Sequence, residues 1–196
     1  MVSTPLAVSG MALAIAFPAL AEPAMPAITV APQIETYDIA GATADELRQQ
    51  MNTLGPVDKT EKKHFHALTT WRVSWHFRWE RGAAYGCRIT GVDTGLRAKI
   101  VMPHLLPSVV LPVDVRTSWN AYLEKLMLHE KGHVAIGEAA RADAERSIRT
   151  LPAAATCEEL ERAANEAGNA AIRKANGDDI AYDRDTRHGA TQGAKW

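Results

Sequence analysis

From Phe65 to Trp79 the chain alternates. Phe65, Ala67, Trp71, Val73, Trp75, Phe77 and Trp79 take the odd positions, while His66, Arg72, Ser74, His76, Arg78 and Glu80 take even ones. A period of two over this length predicts a long, half-buried strand. Gly82 to Gly86 supplies a turn, and a second strand is expected from Cys87 to Met102. Its apolar parity shifts near Gly91 and Val92, which implies a bulge. The two strands read as an antiparallel hairpin with one aromatic face, followed by a loop marked by Pro103, Pro107 and Pro112.

The period then changes to that of a helix. Trp119, Tyr122, Leu126, Gly137, Ala140, Ala144 and Ile148 form one stripe at 3.6-residue spacing, predicting a helix from Thr117 or Ser118 to Arg149. Leu151-Pro152 ends it. Thr156 then caps a further helix, expected to run to Ala175, with an irregular polar segment from Gly177 onwards. Upstream, Thr43-Ala44-Asp45-Glu46 is a capping box that starts a helix through Leu54, ended by Gly55-Pro56. Glu35 to Ile39 is a candidate edge strand.

The N-terminus follows a different pattern. Leu6 to Leu20 is almost wholly apolar and ends in Ala19-Leu20-Ala21, an apolar core followed by a small-x-small cleavage site. Residues 1–21 are therefore expected to be a secretory signal peptide, residues 22–34 a flexible proline-containing leader, and residues 35–196 a single domain. Once the signal is removed, no stable membrane anchor is expected. The net charge of −1 offers no electrostatic case for binding nucleic acid. In a secreted chain the two cysteines, Cys87 and Cys157, are expected to pair as a long-range disulfide.

The chemistry lies within the long helix. His129-Glu130-Lys131-Gly132-His133 is an H-E-x-x-H sequence, with the histidines at i and i+4 on one helical face. Both fall on or at the edge of the apolar stripe, so they face inwards. Two buried imidazoles beside a carboxylate are costly unless a partner satisfies them, and a zinc ion is such a partner. Glu130 lies about 100° around the helix from His129, where it can serve as general base to a zinc-activated water.

A catalytic zinc site takes a third protein ligand. Gly137 and Glu138 do not supply it, because the first has no side chain and the second lies about 140° around the helix from His133. Glu158, Glu159 and Glu161 are disfavoured by a helical hairpin. With a turn near residue 153, Glu158 sits roughly 22 Å along the axis from His133 at 1.5 Å per residue. Residues 178–188 are better placed, and His188 is the first choice, with Asp178, Asp179, Asp183 and Asp185 behind it. His64 and His66 share one side of a strand but have no evident third ligand.

Four stretches also resemble a bacterial family long carried as a domain of unknown function, whose members are described as predicted secreted zinc-dependent proteases. They are residues 42–47, 71–75, 119–133 and 182–194. The last matches the pattern Y-D-x-x-T-x-H-G-x-T-Q-G-A at Tyr182, Asp183, Thr186, His188, Gly189, Thr191, Gln192, Gly193 and Ala194. The similarity spans about residues 35–195 and implies that the C-terminal segment takes part in the site. Tyr182 could then donate to a developing oxyanion, or be a packed tyrosine.

The expectation is an α+β, zincin-like domain, in which a small antiparallel sheet packs on the H-E-x-x-H helix and on a second, antiparallel helix. Its expected function is that of a secreted or periplasmic zinc metallopeptidase acting on a peptide or protein substrate. His129, His133 and His188 would hold zinc and Glu130 would act as base. The alternatives are a non-catalytic periplasmic module that binds a metal or a partner, and an amide hydrolase acting on a cell-envelope molecule.

Overall fold

The computed structural model describes residues 31–58 and 62–196. The expected signal peptide, and most of the expected leader, lie outside the described residues. The elements run β1 (Gln33–Ile39), α1 (Ala44–Leu54), β2 (Leu68–Gly82), β3 (Gly86–Leu105), α2 (Val113–Arg149), α3 (Cys157–Thr186) and a short 3₁₀ turn (Ala190–Gln192). The fold is α+β: a three-stranded mixed sheet, ordered β1-β3-β2, with helices packed on it.

β2 and β3 form the antiparallel hairpin that the alternation predicts, from Leu68 opposite Val101 to Gly82 opposite Gly86. The bulge lies where the parity shifts. Arg78 faces Gly91 and Trp79 faces Ile89, so Thr90 is the extra residue on β3. The odd-numbered face of β2 turns onto the helices. Trp71 packs over Gly137 of α2 and Trp75 over Gly168 of α3, where an added Cβ would stand 2.9 Å and 2.7 Å from the indole rings. These two glycines let both helices sit close to the aromatic face. Trp75 and Trp79 each keep a polar partner on α3, donating from Nε1 to Asn165 and Glu161.

Several boundaries differ from the sequence expectation. β1 begins at Gln33, two residues inside the expected leader, and pairs parallel with β3. β3 continues past Met102 to Leu105, carrying Pro103 within a strand. Pro103 lies beyond Val101, the last β3 residue paired with β2, so a missing N–H is tolerated there. α2 starts at Val113 with Pro112 as its N-cap, because proline costs little in a helix's first turn and Asp114 suits the positive end. Glu138, on a different face of α2 from His133, is half-buried and accepts from the buried Arg141.

The largest correction concerns α3. It does not end near Ala175 but runs on to Thr186. An isolated glycine costs a helix only about 1 kcal/mol, and Gly177 is crossed with an i,i+4 pair from Lys174 to Asp178 on the exposed side. Packing along α2 sustains the added turns. Asp179, Tyr182 and Asp183 consequently stand on a regular helix facing the middle of α2, not on an irregular tail.

α1 forms as its capping box predicts: Thr43 Oγ1 accepts from Glu46 N, and Glu46 returns the bond to Thr43 N. α1 covers one end of the core, where Leu47, Met51, Ile39, Ile100, Trp119, Tyr122 and Leu126 are buried together. At the opposite end a smaller cluster surrounds the Cys87–Cys157 disulfide, which joins the start of β3 to the first residue of α3. Histidines and carboxylates occupy the stretch of α2 between these two apolar clusters.

The disulfide closes a loop with a sequence separation of 70 residues. In the chain-entropy description, a loop of that size contributes about 4 kcal/mol. Replacing Cys87 and Cys157 together by alanine should therefore lower the urea midpoint of unfolding strongly. An unchanged midpoint would show that the cross-link does not constrain the unfolded chain.

Candidate metal centre

His129, Glu130 and His133 lie at the centre of α2 and are only 3 %, 4 % and 7 % exposed. Turning the two imidazoles inward brings their Nε2 atoms to 3.3 Å from each other. Asp183 of α3 reaches between them, its Oδ1 lying 3.1 Å from each Nε2. Three electron-pair donors thus converge on one point. In a tetrahedral site with bonds of 2.0–2.1 Å, neighbouring donors stand about 3.3 Å apart. The observed spacings fit that shape, and two imidazoles with one carboxylate form a donor set suited to a divalent metal such as zinc.

The outer nitrogens are held as well. Nδ1 of His133 lies 2.8 Å from Asp179 Oδ1, and Nδ1 of His129 lies 3.0 Å from Gln192 Oε1. Each ring therefore has an acceptor behind it, and each Nε2 points at the shared centre. Asp179 and Asp183 stand at i and i+4 on α3, mirroring the two histidines on α2.

The electrostatics favour a positive charge at this centre. Burial opposes charge on His133, yet the hydrogen bonds to Asp179 and Asp183, with the charges of both, outweigh it and push its pKa up to about 10. Burial also opposes charge on Asp183, but its contacts with His129 and His133 hold the carboxyl well below the usual range. Glu130 behaves differently. Desolvation raises its pKa, against a hydrogen bond from Thr69 and the nearby histidines, with Asp183 adding to the rise.

Thr69 was not singled out from the sequence. Its Oγ1 donates to Glu130 Oε2 at 2.7 Å, fixing the carboxylate from the β2 side. The signal was present: Thr69 is a polar residue on the odd-numbered face of β2 that is otherwise apolar from Trp71 to Trp79.

Among the other predicted residues, His188 stands beside the cluster, with Nδ1 3.4 Å from Asp183 Oδ1. The third member of the close donor set is Asp183, which the sequence reading ranked behind His188. Asp178 pairs with Lys174 and Asp185 with Arg184, both at the surface. The ring of Tyr182 stacks on His129 at 5.0 Å and 10°, and its hydroxyl donates to the His129 carbonyl at 3.2 Å. Among the described residues, His64 and His66 belong to no group of close metal-ligating side chains. His64 donates from Nδ1 to Gly55 O, and His66 bonds Tyr122 and Asn52.

A cleft of about 890 Å³ opens onto the centre. Its walls include Phe65 from the approach to β2, Leu68 at the start of β2, Tyr122 and Leu126 from α2, and Ile180 from α3. The protein is thus an α+β domain whose buried His-Glu-His helix meets an aspartate from a second helix at the floor of a cleft. Residues 34–189 match a family described as bacterial protein of unknown function (DUF922), and the chain belongs to that family. No curated protein and no solved structure matches it.

The raised pKa of His133 has a consequence for the metal-free protein. Below the ordinary value of 6.5 its protonated ring stabilises the fold fully, and this contribution is lost as pH rises to about 10. Glu130, also shifted upward, adds a loss of the same sign. Urea unfolding of chelator-treated protein between pH 6 and 10 should show wild type losing more stability than His133→Gln. Parallel curves would contradict the assignment.

Proposed function

We propose that this protein is a zincin-like, zinc-dependent hydrolase that cleaves peptide bonds. The observation that carries this reading is the convergence of His129 Nε2, His133 Nε2 and Asp183 Oδ1 at 3.1–3.3 Å beside the buried carboxylate of Glu130. His129, His133 and Asp183 would hold the ion. When bound, zinc supplies Lewis acidity, polarising a carbonyl and acidifying water near neutral pH.

Within this reading Glu130 is the base. Its carboxylate accepts a proton from the water that attacks the scissile carbonyl, and then delivers that proton to the departing nitrogen as the C–N bond breaks. Burial makes it more basic than a surface glutamate, which suits both halves of the transfer. Thr69 holds one carboxylate oxygen, and Glu130 lines the cleft. Tyr182, whose hydroxyl is engaged with the α2 backbone, acts by positioning rather than by donating to substrate.

The number of donors favours catalysis over a purely structural metal. Structural zinc sites are closed by four protein ligands, whereas catalytic ones keep a position for water or substrate. The close donor set among the described residues has three members and borders an open cleft. Secretion to an oxidising compartment is part of the same proposal, supported by the buried Cys87–Cys157 bridge. Among the described residues, no helix is long and apolar enough to cross a membrane.

Two measurements test the reading. Purified protein should bind about one zinc per chain, with His129→Ala, His133→Ala and Asp183→Ala each losing it, while His188→Ala loses less. Full zinc occupancy in the His129→Ala/His133→Ala double variant would refute the site. Glu130→Gln should keep zinc and lose chelator-sensitive peptide cleavage by roughly 10²-fold or more. Undiminished cleavage by that variant would show that Glu130 is not the base.

A further inference from the structure

The hydrogen bonds behind His129 close on themselves. The hydroxyl of Tyr182 lies 3.2 Å from the backbone carbonyl of His129, and that carbonyl can only accept. Of the two acceptors within reach of the hydroxyl, the His129 carbonyl at 3.2 Å is nearer than Gln192 Oε1 at 3.3 Å, and donation to the carbonyl leaves the phenol oxygen free as an acceptor. Gln192 Nε2 lies 3.0 Å from that oxygen and donates to it. The amide is thereby oriented with Oε1 towards His129 Nδ1, 3.0 Å away. An amide oxygen accepts, so His129 carries its proton on Nδ1. The chain of donors begins on the ring of His129 and ends on its own carbonyl.

We infer that Gln192 and Tyr182 are positioning residues that lock His129 in the tautomer whose Nε2 lone pair faces Asp183 and His133. This rests on the proposed zinc site and goes beyond it, because it assigns the C-terminal segment a task distinct from ligation. His133 is held by the carboxylate of Asp179; His129 is held by a neutral amide whose direction is itself enforced.

The surrounding backbone is built for this ring. A Cβ at Gly132 would stand 2.1 Å from the Tyr182 hydroxyl oxygen, so only glycine at this place in the H-E-x-x-H sequence admits the phenol. After α3 the chain turns sharply through Arg187, His188 and Gly189, all at positive φ, two of them residues that rarely adopt it. Gly189 itself passes the His129 ring so closely that a Cβ would lie 3.0 Å from it. Gly189 O then accepts from Gln192 N and Ala194 N, which sets Gln192 over the imidazole. The strained corner carries the chain back from α3 to α2 within three residues.

The test is zinc affinity, measured by competition with a chromophoric chelator, alongside thermal unfolding of the metal-free protein. Outer partners of metal-binding histidines typically affect affinity 10- to 100-fold. Gln192→Leu should weaken zinc binding by about that factor while the metal-free protein unfolds near the wild-type temperature. Gln192→Glu, which keeps an acceptor for Nδ1–H, should restore it. Tyr182→Phe and Gly132→Ala should both weaken it, since each opens the ring at another point. If Gln192→Leu binds zinc as tightly as wild type, the lock is refuted while the metal site stands. If Gln192→Glu is as weak as Gln192→Leu, the segment acts through packing and the lock is again refuted. A wild-type protein that takes up no zinc would refute the metal site, and the lock with it.

Discussion

The structure depends on placing two imidazoles and a carboxylate in the middle of a helix that is otherwise an apolar stripe. All three side chains are buried, so the polar atoms of His129, Glu130 and His133 need partners. Each neighbouring element answers part of that demand. β2 brings Thr69 to Glu130, α3 brings Asp179 and Asp183 to the histidines, and the C-terminal turn brings Gln192. The aromatic face of the hairpin and the disulfide hold those elements at the required distance.

This explains why α2 and α3 run closely alongside each other. Two i,i+4 pairs, one of histidines and one of aspartates, meet only if the last turns of α3 lie level with the middle of α2. Tyr182 against Gly132, Trp71 over Gly137 and Trp75 over Gly168 set that register by close contact. Each uses a helical glycine as a seat for an aromatic ring. The apolar clusters at either end supply the burial energy, and they leave the centre for the polar groups.

Much of this was legible in the sequence because strong periodic signals marked it. The alternation in β2 showed its aromatic face, the stripe on α2 showed which way the histidines turn, and the Thr43 capping box and the Thr156 cap both form. The parity shift near Gly91 and Val92 pointed to the bulge, which the pairing places next to them at Thr90. The end of α3 was harder to read. Gly177 and the polar run after it resemble a loop, and only the contact with α2 makes them helical. That misreading affected the candidate site: treating residues 178–188 as irregular put no i,i+4 relation between Asp179 and Asp183, and it placed His188 level with them. On a helix the aspartates share a face, while His188 falls past its end in a left-handed conformation. Thr69 was missed for a simpler reason. A single hydroxyl among aromatics looks like a tolerated exception until the residue facing it is known.

The two histidines are not equivalent, although the motif writes them identically. A carboxylate behind an imidazole makes it a stronger electron donor, whereas a neutral amide serves to orient the ring. In the reading proposed here, His133 is the ligand backed by a charge and His129 the one backed by an oriented amide. Asp183, in contact with both, balances the positive charge that the site attracts. The division follows from where each ring lies. His133 faces the body of α3, where a helical aspartate can reach it. His129 lies level with the end of that helix, where only a chain that has turned back on itself can supply an acceptor. Positive φ at Arg187 and His188 is the backbone cost of that return, of the order of 1–2 kcal/mol per residue. A domain with no use for His129 in one tautomer would have no reason to retain it.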